Sequence, residues 1–146
     1  MTGGLTMGLS MGISKAKWKV VVAGARAGLH ITVNEPEFWF YFPNSSGSFS
    51  SGPSRPNDFT LVKLERHHSD RELVVGKASV TGVSSGVPSK DTIAVSSKQV
   101  SAGIYEVVPA EPLKPGEYAF LPAGQGGMVL SMTGGKLFDF EVDKSR

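Results

Sequence analysis

The stretch Pro36–Asn44, PEFWFYFPN, contains five aromatic residues in a row, Phe38, Trp39, Phe40, Tyr41 and Phe42. In a β-strand successive side chains point to opposite faces, so the three phenylalanines share one face and Trp39 and Tyr41 share the other. Phenylalanine has no polar atom that needs a partner and suits the core, whereas Trp and Tyr suit a second covered layer or a rim that contacts a partner. The stretch predicts a core strand whose second face is covered by the chain itself, by a subunit or by a small ligand.

The rest of the chain has the composition of a β-protein. Its 146 residues are enough for a single domain, predicted to span 1–146, with a real hydrophobic core. Eighteen glycines and nine prolines indicate many turns. Short segments of alternating apolar and polar residues recur between the turns, and no segment has the apolar stripe of a helix. We therefore expect an all-β sandwich of roughly nine or ten short strands.

The N-terminal segment 1–14 has the strictest alternation in the chain. Apolar residues occupy every second position, with only Thr, Gly and Ser between them: Leu5, Met7, Leu9, Met11 and Ile13. This pattern predicts a strand. One interpretation is the first strand of the chain's own sandwich. The other is a donor strand, or arm, that completes the sheet of another subunit, which makes these five residues candidates for assembly.

Two further segments bear on binding. The strand predicted after Ser14 carries Lys15, Lys17 and Lys19 on one face and Trp18 on the other. Trp18 is therefore a binding candidate beside Trp39 and Tyr41, but it does not share a face with the lysines, which argues against nucleic acid. Residues 43–58 form a long Ser/Gly/Pro loop, of a length that is usually functional or disordered.

The corner Pro112–Phe120, PLKPGEYAF, resembles a motif of immunoglobulin-like sandwiches. In that fold a Tyr near the start of the penultimate strand bonds back to the backbone a few residues upstream, and Tyr118 is placed to do so. The resemblance covers about the last 45 residues and implies an immunoglobulin-like β-sandwich with Tyr118 as a structural corner.

A wider resemblance joins FWFYF, NDFTLVKLE, RELVVGK, PLKPGEYAF and KLFDFEVD, in that order. This set is similar to a group of uncharacterised bacterial exported proteins. The resemblance implies a periplasmic or cell-surface location and brings no catalytic residue. The N-terminus itself carries no visible export signal, because its first cation is Lys15.

Motifs for catalysis are weak. The chain has no Cys, which excludes disulfides and thiolate ligands. We expect His67 and His68 in a solvated turn and His30 on the solvent side of a strand. The alternating carboxylates near the C-terminus are expected on an exposed edge face: Asp139, Glu141 and Asp143. We therefore predict no enzyme site, no metal and no cofactor.

Charge and hydropathy exclude two partner classes. A net charge of +2 is too small to indicate nucleic acid. No apolar run approaches the roughly 20 residues of a membrane helix. The leading hypothesis is a non-catalytic extracytoplasmic module for protein or surface interaction, and its small-molecule ligand, if one exists, is unknown. The first alternative is a structural subunit that self-associates through its N-terminal strand, and the second, less favoured, is a metal-dependent hydrolase.

Overall fold

The computed structural model describes residues 5–12, 15–43, 53–79, 82–85, 89–122 and 137–144, with side chains in 19–43, 53–75, 89–122 and 137–144. These residues contain two short 3-10 helices, Pro56–Asp58 and Ser89–Asp91, and otherwise only strands and connections. The strands in chain order are β1 (Leu5–Gly12), β2 (Lys15–Ala23), β3 (His30–Ile31), β4 (Phe38–Tyr41), β5 (Phe59–Arg66), β6 (Asp70–Ser79), β7 (Gly82–Ser85), β8 (Thr92–Ile93), β9 (Val95–Ser101), β10 (Ile104–Pro109), β11 (Gly116–Pro122) and β12 (Phe138–Val142).

The all-β prediction is confirmed, and the strands are more numerous than predicted. Twelve strands lie in the described part of the chain, against the roughly nine or ten that the alternation indicated. Two of the twelve, β3 and β8, have two residues each. β3 lies where the sequence predicted a strand around His30, and β8 is separated from β9 by one residue, so the sequence pattern does not resolve β8 and β9 as two strands.

The strands form two sheets. The larger has nine strands in the order β1-β2-β6-β5-β11-β12-β3, with β7 paired to β6 and β8 paired to β5. The smaller has three strands in the order β4-β10-β9. Every pairing between these strands is antiparallel except that of β12 with β3, which is parallel.

The larger sheet bends sharply between β5 and β6, at the point where these two strands stop pairing, and this divides it into a β2–β6 arm and a β5–β11 arm. These strands pair only beside their connecting turn, through Glu65 with Glu72 and Arg66 with Arg71. Farther along, β5 pairs with β8 instead. One apolar cluster draws residues from both arms of the sheet: Val20, Val22, Val62, Leu64, Leu73, Val75, Ala119, Leu121 and Leu137. The β2–β6 arm therefore packs across one face of the β5–β11 arm.

The opposite face of β5 and β11 packs against the smaller sheet. The buried part of this second cluster draws on both sheets: Leu61, Val107, Leu113, Tyr118, Phe120, Phe140 and Val142. Phe38 and Phe40 are partly buried and pack against it. Phe38 meets Phe120 edge-on, with ring centroids 4.9 Å apart. Cover on both faces is seen in burial: Glu117–Leu121 of β11 are buried without interruption, and so are the adjacent residues Leu61 and Val62 of β5.

Tyr118 closes the corner before β11. Its hydroxyl donates a 2.7 Å hydrogen bond to the carbonyl oxygen of Lys114, and its ring stacks on Phe140 at 5.6 Å. Burial raises the pKa of Tyr118, which keeps the hydroxyl protonated as a donor. The bond to a carbonyl four residues upstream is the interaction that the PLKPGEYAF motif predicted.

The N-terminal strand has a partner within its own chain. β1 pairs with β2 along its whole length, from Leu5 opposite Val22 to Gly12 opposite Lys15. Of the candidate assembly residues, Leu5, Met7, Leu9 and Met11 lie in β1, without described side chains, and Ile13 lies outside the described residues. No helix in the described part of the chain is long and apolar enough to cross a membrane.

Candidate functional site

An apolar cleft of about 340 Å³ lies where an edge of the smaller sheet meets the start of β12. We call it the aromatic cleft. It is lined by Leu29, Phe38, Trp39, Phe40, Tyr41, Phe59, Phe120, Phe138, Asp139 and Phe140. Asp139 is the only charged residue in this set. The volume is at the lower end of the range for ligand sites, and an apolar lining with few polar groups is typical of them.

The wall formed by β4 has the alternation that the sequence predicted. Phe38 and Phe40 are half-buried against the second core cluster, whereas Trp39 and Tyr41 are 48% and 68% exposed. The phenylalanines are held in place by edge-on ring contacts, such as Phe40 with Phe59 at 5.5 Å. The sequence assigned Trp39 and Tyr41 as binding candidates, and the structure brings both to the aromatic cleft.

Among the described strands, β4 has a neighbour on one edge only, and we call its other edge the open edge. The N–H of Phe42 donates to the carbonyl of Gly103 at 2.7 Å, in register with the pairing of β4 and β10. In an antiparallel ladder every second residue bonds the same neighbour, so Phe38 and Phe40 also face β10. The N–H and C=O groups of Trp39 and Tyr41 therefore point away from β10, toward the side on which β4 has no neighbour among the described strands.

The opposite wall comes from the start of β12 and from Leu29. Phe138 and Leu29 are 61% and 58% exposed, although both are large and apolar. Sequence reasoning did not select either of them. Phe138 and Phe140 are two residues apart in β12 and so share a face of the strand, yet Phe140 is buried while Phe138 lies at the rim. Exposure of this kind depends on what covers a strand end, which alternation does not reveal.

One residue beyond Phe138, β12 enters a set of buried and partly exposed charged side chains that we call the arginine–carboxylate network. It ties the β2–β3 connection and the β5–β6 turn to β11 and β12. Its members are Arg26, Arg66, Arg71, Glu117, Asp139, Glu141 and Asp143.

At the centre of the network, Arg71 is almost fully buried. It donates to Glu117 at 3.1 Å, to Asp139 at 2.8 Å and to the carbonyls of Ala23 and Gly24. The expectation of an exposed acidic edge at Asp139, Glu141 and Asp143 was therefore wrong for its first two members, whose side chains are nearly buried. The reason is topological: β3 pairs beside β12, so β12 is not an edge strand at Glu141.

The network holds Glu141 ionised. Hydrogen bonds from Arg26, with further ones from Arg66, lower the pKa of Glu141 to about 2, although burial opposes this shift. The same contacts raise the pKa values of Arg26 and Arg66. A general acid at neutral pH needs a carboxyl group with a raised pKa, and Glu141 has the opposite property.

Beside the network, His30 lies close to Glu141 and Asp143, and all three are residue types that can bind a metal ion. Ligand atoms of His30, Glu141 and Asp143 lie within 4.8 Å of one another. However, Arg26 donates to both oxygens of Glu141, at 2.6 and 2.9 Å, and to Asp143 at 3.2 Å. A cation in this position would have to displace a guanidinium group, so the geometry does not favour a metal.

The remaining predicted residues lie away from the aromatic cleft or cannot be placed beside it. His67 and His68 are exposed in the β5–β6 turn, where the sequence predicted them, and His67 approaches Glu72 at 3.3 Å. The backbone of Trp18 lies in β2, opposite Leu9, but its side chain is not described. Of the long loop 43–58, residues 44–52 lie outside the described residues.

Comparisons of the chain with protein-family models, with curated proteins and with solved structures find no match. A function must therefore be argued from the site itself.

Proposed function

We propose that this chain is a non-catalytic interaction module that binds an apolar segment of a partner protein in the aromatic cleft. The observation that carries the proposal is that residues with exposed apolar side chains gather at that cleft. Leu29, Trp39, Tyr41 and Phe138 all line it, and only Val33 and Val100 among the exposed large apolar residues of the described chain do not. Contiguous exposed apolar surface of this kind marks interaction sites.

The architecture that we propose for the module is an immunoglobulin-like sandwich. In that fold strands B, E and D share one sheet and strands C, F and G share the other. The orders β4-β10-β9 and β5-β11-β12 match this arrangement in both space and chain order. The Tyr118 corner at the start of β11 supports the same assignment. On this assignment β1, β2 and β6 extend the CFG sheet and fold back over its outer face.

An extracytoplasmic location belongs to the same proposal and is supported only by the resemblance to exported proteins. The self-assembling subunit is the weaker alternative, because the strand that would be donated is paired with β2 over eight residues. A hydrolase is weaker still, because hydrogen bonds from arginine hold the pKa of Glu141 far below that of a general acid.

Dye binding tests whether the aromatic cleft accepts an apolar group. The probe is N-phenylnaphthylamine, a neutral dye that fluoresces in apolar surroundings, added to the Trp18→Phe variant so that Trp39 is the only tryptophan. We expect saturable binding with energy transfer from Trp39. Phe138→Ser should weaken dye affinity about tenfold, since it removes most of an apolar wall.

The matched control is Val100→Ser. Val100 is also exposed, at 44%, but lies in β9 and does not line the aromatic cleft. This variant should bind the dye as the parent does. Equal losses in both variants, or no saturable binding at all, would overturn the proposed function.

A further inference from the structure

We propose that the partner binds by β-strand addition: an extended segment of another protein pairs with the open edge of β4. The segment carries apolar side chains at alternate positions and basic residues at its C-terminal end. This inference rests on the proposed function and adds to it the partner's conformation and its sequence pattern.

The backbone of β4 supplies the first argument. Trp39 and Tyr41 direct two N–H donors and two C=O acceptors away from β10, at the spacing of a β-ladder. In immunoglobulin-like sheets a strand A lies beside strand B in the order A-B-E-D. If β4 is strand B, the position of strand A beside it is not taken by any strand among the described residues.

Side chains supply the second argument. Alternate residues of an added strand point to opposite faces of the sheet. One set would enter the aromatic cleft against Phe38, Phe120 and Phe138, where apolar groups are favoured. The other set would lie on the outer face beside Trp39 and Tyr41, which are exposed and amphipathic. Alternate apolar side chains are what pockets along a strand-addition edge select.

Charge supplies the third argument. Glu35 and Glu37 are exposed just before β4, and neither forms an ion pair with a described residue. A segment added antiparallel to β4 has its C-terminal end beside Glu37. Lysine or arginine there complements the two carboxylates, which favours a basic end and disfavours an acidic one.

A second copy of this chain fits the edge less well than a different protein. The segment with the best alternation in the chain, β1, already forms eight residue pairs with β2. It would have to leave that pairing before it could add to β4 of a neighbour. We therefore commit to a partner protein and treat self-association as an outcome of the test.

The test uses a synthetic peptide of alternating valine and threonine that ends in two lysines. Amide hydrogen exchange is followed by NMR on the full chain with and without saturating peptide. The free chain should show slow exchange at the Phe40 amide, which faces β10, and fast exchange at the Trp39 and Tyr41 amides. Bound peptide should slow exchange at Trp39 and Tyr41 about tenfold or more and leave Phe40 unchanged.

Two controls separate this inference from the proposed function. A peptide of the same sequence with its β4-facing nitrogens methylated keeps the apolar contacts and loses its hydrogen-bond donors. Equal binding by both peptides would reject strand addition and leave an apolar cleft. Binding by neither peptide rejects strand addition, and if N-phenylnaphthylamine also fails to bind, the proposed function fails with it.

A pair of variants tests the β4 edge itself. Tyr41→Ala removes the side chain and keeps the outward N–H, whereas Tyr41→Pro also removes that N–H without touching a bond to β10. Far-UV circular dichroism and the thermal midpoint check that both fold. Peptide affinity should be at least about tenfold lower for the Pro variant than for the Ala variant; equal affinity contradicts the inference.

Charge and self-association complete the design. A peptide that ends in two glutamates should bind about tenfold more weakly than the lysine peptide, and this difference should shrink at high salt. Tighter binding of the glutamate peptide would refute the charge argument.

Sedimentation of the chain alone should show no concentration-dependent dimer, and a dimer abolished by Tyr41→Pro would make a second copy the occupant instead.

Discussion

The two ends of β12 differ sharply although only five residues form the strand. At its start, Phe138 is a large apolar side chain left 61% exposed at the rim of the aromatic cleft. Toward its end, Glu141 is a charged side chain that is 6% exposed and bonded to two arginines. Each residue lies in the environment that its chemistry disfavours.

The two exceptions have different physical consequences. The charge of a buried carboxylate must be balanced by a cation or by hydrogen bonds, and Arg26 and Arg66 do this for Glu141. Because these arginines come from other parts of the chain, the arginine–carboxylate network fixes the positions of the β2–β3 connection and the β5–β6 turn on β11 and β12. The ring of Phe138 meets Phe59 at 6.2 Å but stays 61% exposed, so the aromatic cleft leaves apolar surface that a partner could cover. The network should therefore control stability and the cleft should control binding.

The largest expected effect is that of Arg71→Ala. This change leaves Glu117 and Asp139 buried without their shared cation and removes two hydrogen bonds to backbone carbonyls where β2 ends, those of Ala23 and Gly24. Breaking a buried ion pair from one side costs about 3–5 kcal/mol. The free energy of unfolding in urea should fall by that amount.

Arg55→Ala is the matched control for Arg71→Ala. The Arg55 side chain is 68% exposed and approaches Asp58 at only 3.9 Å. The expected change is within about 0.5 kcal/mol. If both arginine variants were equally stable, the buried network would not be a stabilising element of this fold.

An intermediate effect is expected from acid. The pKa of Glu141 is about 2 in the folded chain, against an ordinary value of 4.5 for a glutamate in the unfolded chain, so ionised Glu141 stabilises the fold fully above pH 4.5. This contribution, of the order of 3 kcal/mol, should be lost as the pH falls from 4.5 toward 2.

Urea unfolding between pH 6 and pH 2.5 measures this loss in the parent and in Glu141→Gln. The variant is less stable at pH 6 but should lose less stability on acidification, because its amide does not titrate. Parallel pH profiles for the two chains would show that Glu141 is not the group responsible.

The fold was largely predictable from the sequence because alternation, turn residues and the PLKPGEYAF corner are local signals. Sheet order was not predictable, since period-two patterns specify faces and not neighbours. The wrong expectation that Asp139 and Glu141 are exposed follows from this limit. Glu141 has the alternation of an edge residue, and it is buried because β3, a strand of two residues, pairs beside it.

Of the four exposed apolar residues that line the aromatic cleft, the sequence pointed to two as binding candidates. Trp39 and Tyr41 follow from the run of aromatic residues at Phe38–Phe42, whose faces alternate as expected. Leu29 and Phe138 come from segments roughly 10 and 100 residues away in the chain, and only tertiary packing brings them to β4. The open edge of β4 is likewise a property of the sheet, and no single strand encodes it.

The smallest expected effect on stability is that of Phe138→Ser, and it is the sharpest test of the comparison. The ring of Phe138 is mostly in water, so its removal should change the free energy of unfolding by no more than about 0.5 kcal/mol. Phe140→Ala, two residues along the same strand, removes a ring that is 2% exposed and should cost about 3–5 kcal/mol. Urea unfolding of both variants, beside their affinity for N-phenylnaphthylamine, separates the two roles. A Phe138→Ser variant that kept its dye affinity and lost stability would mean that this ring belongs to the core, and that the aromatic cleft is packing rather than a binding site.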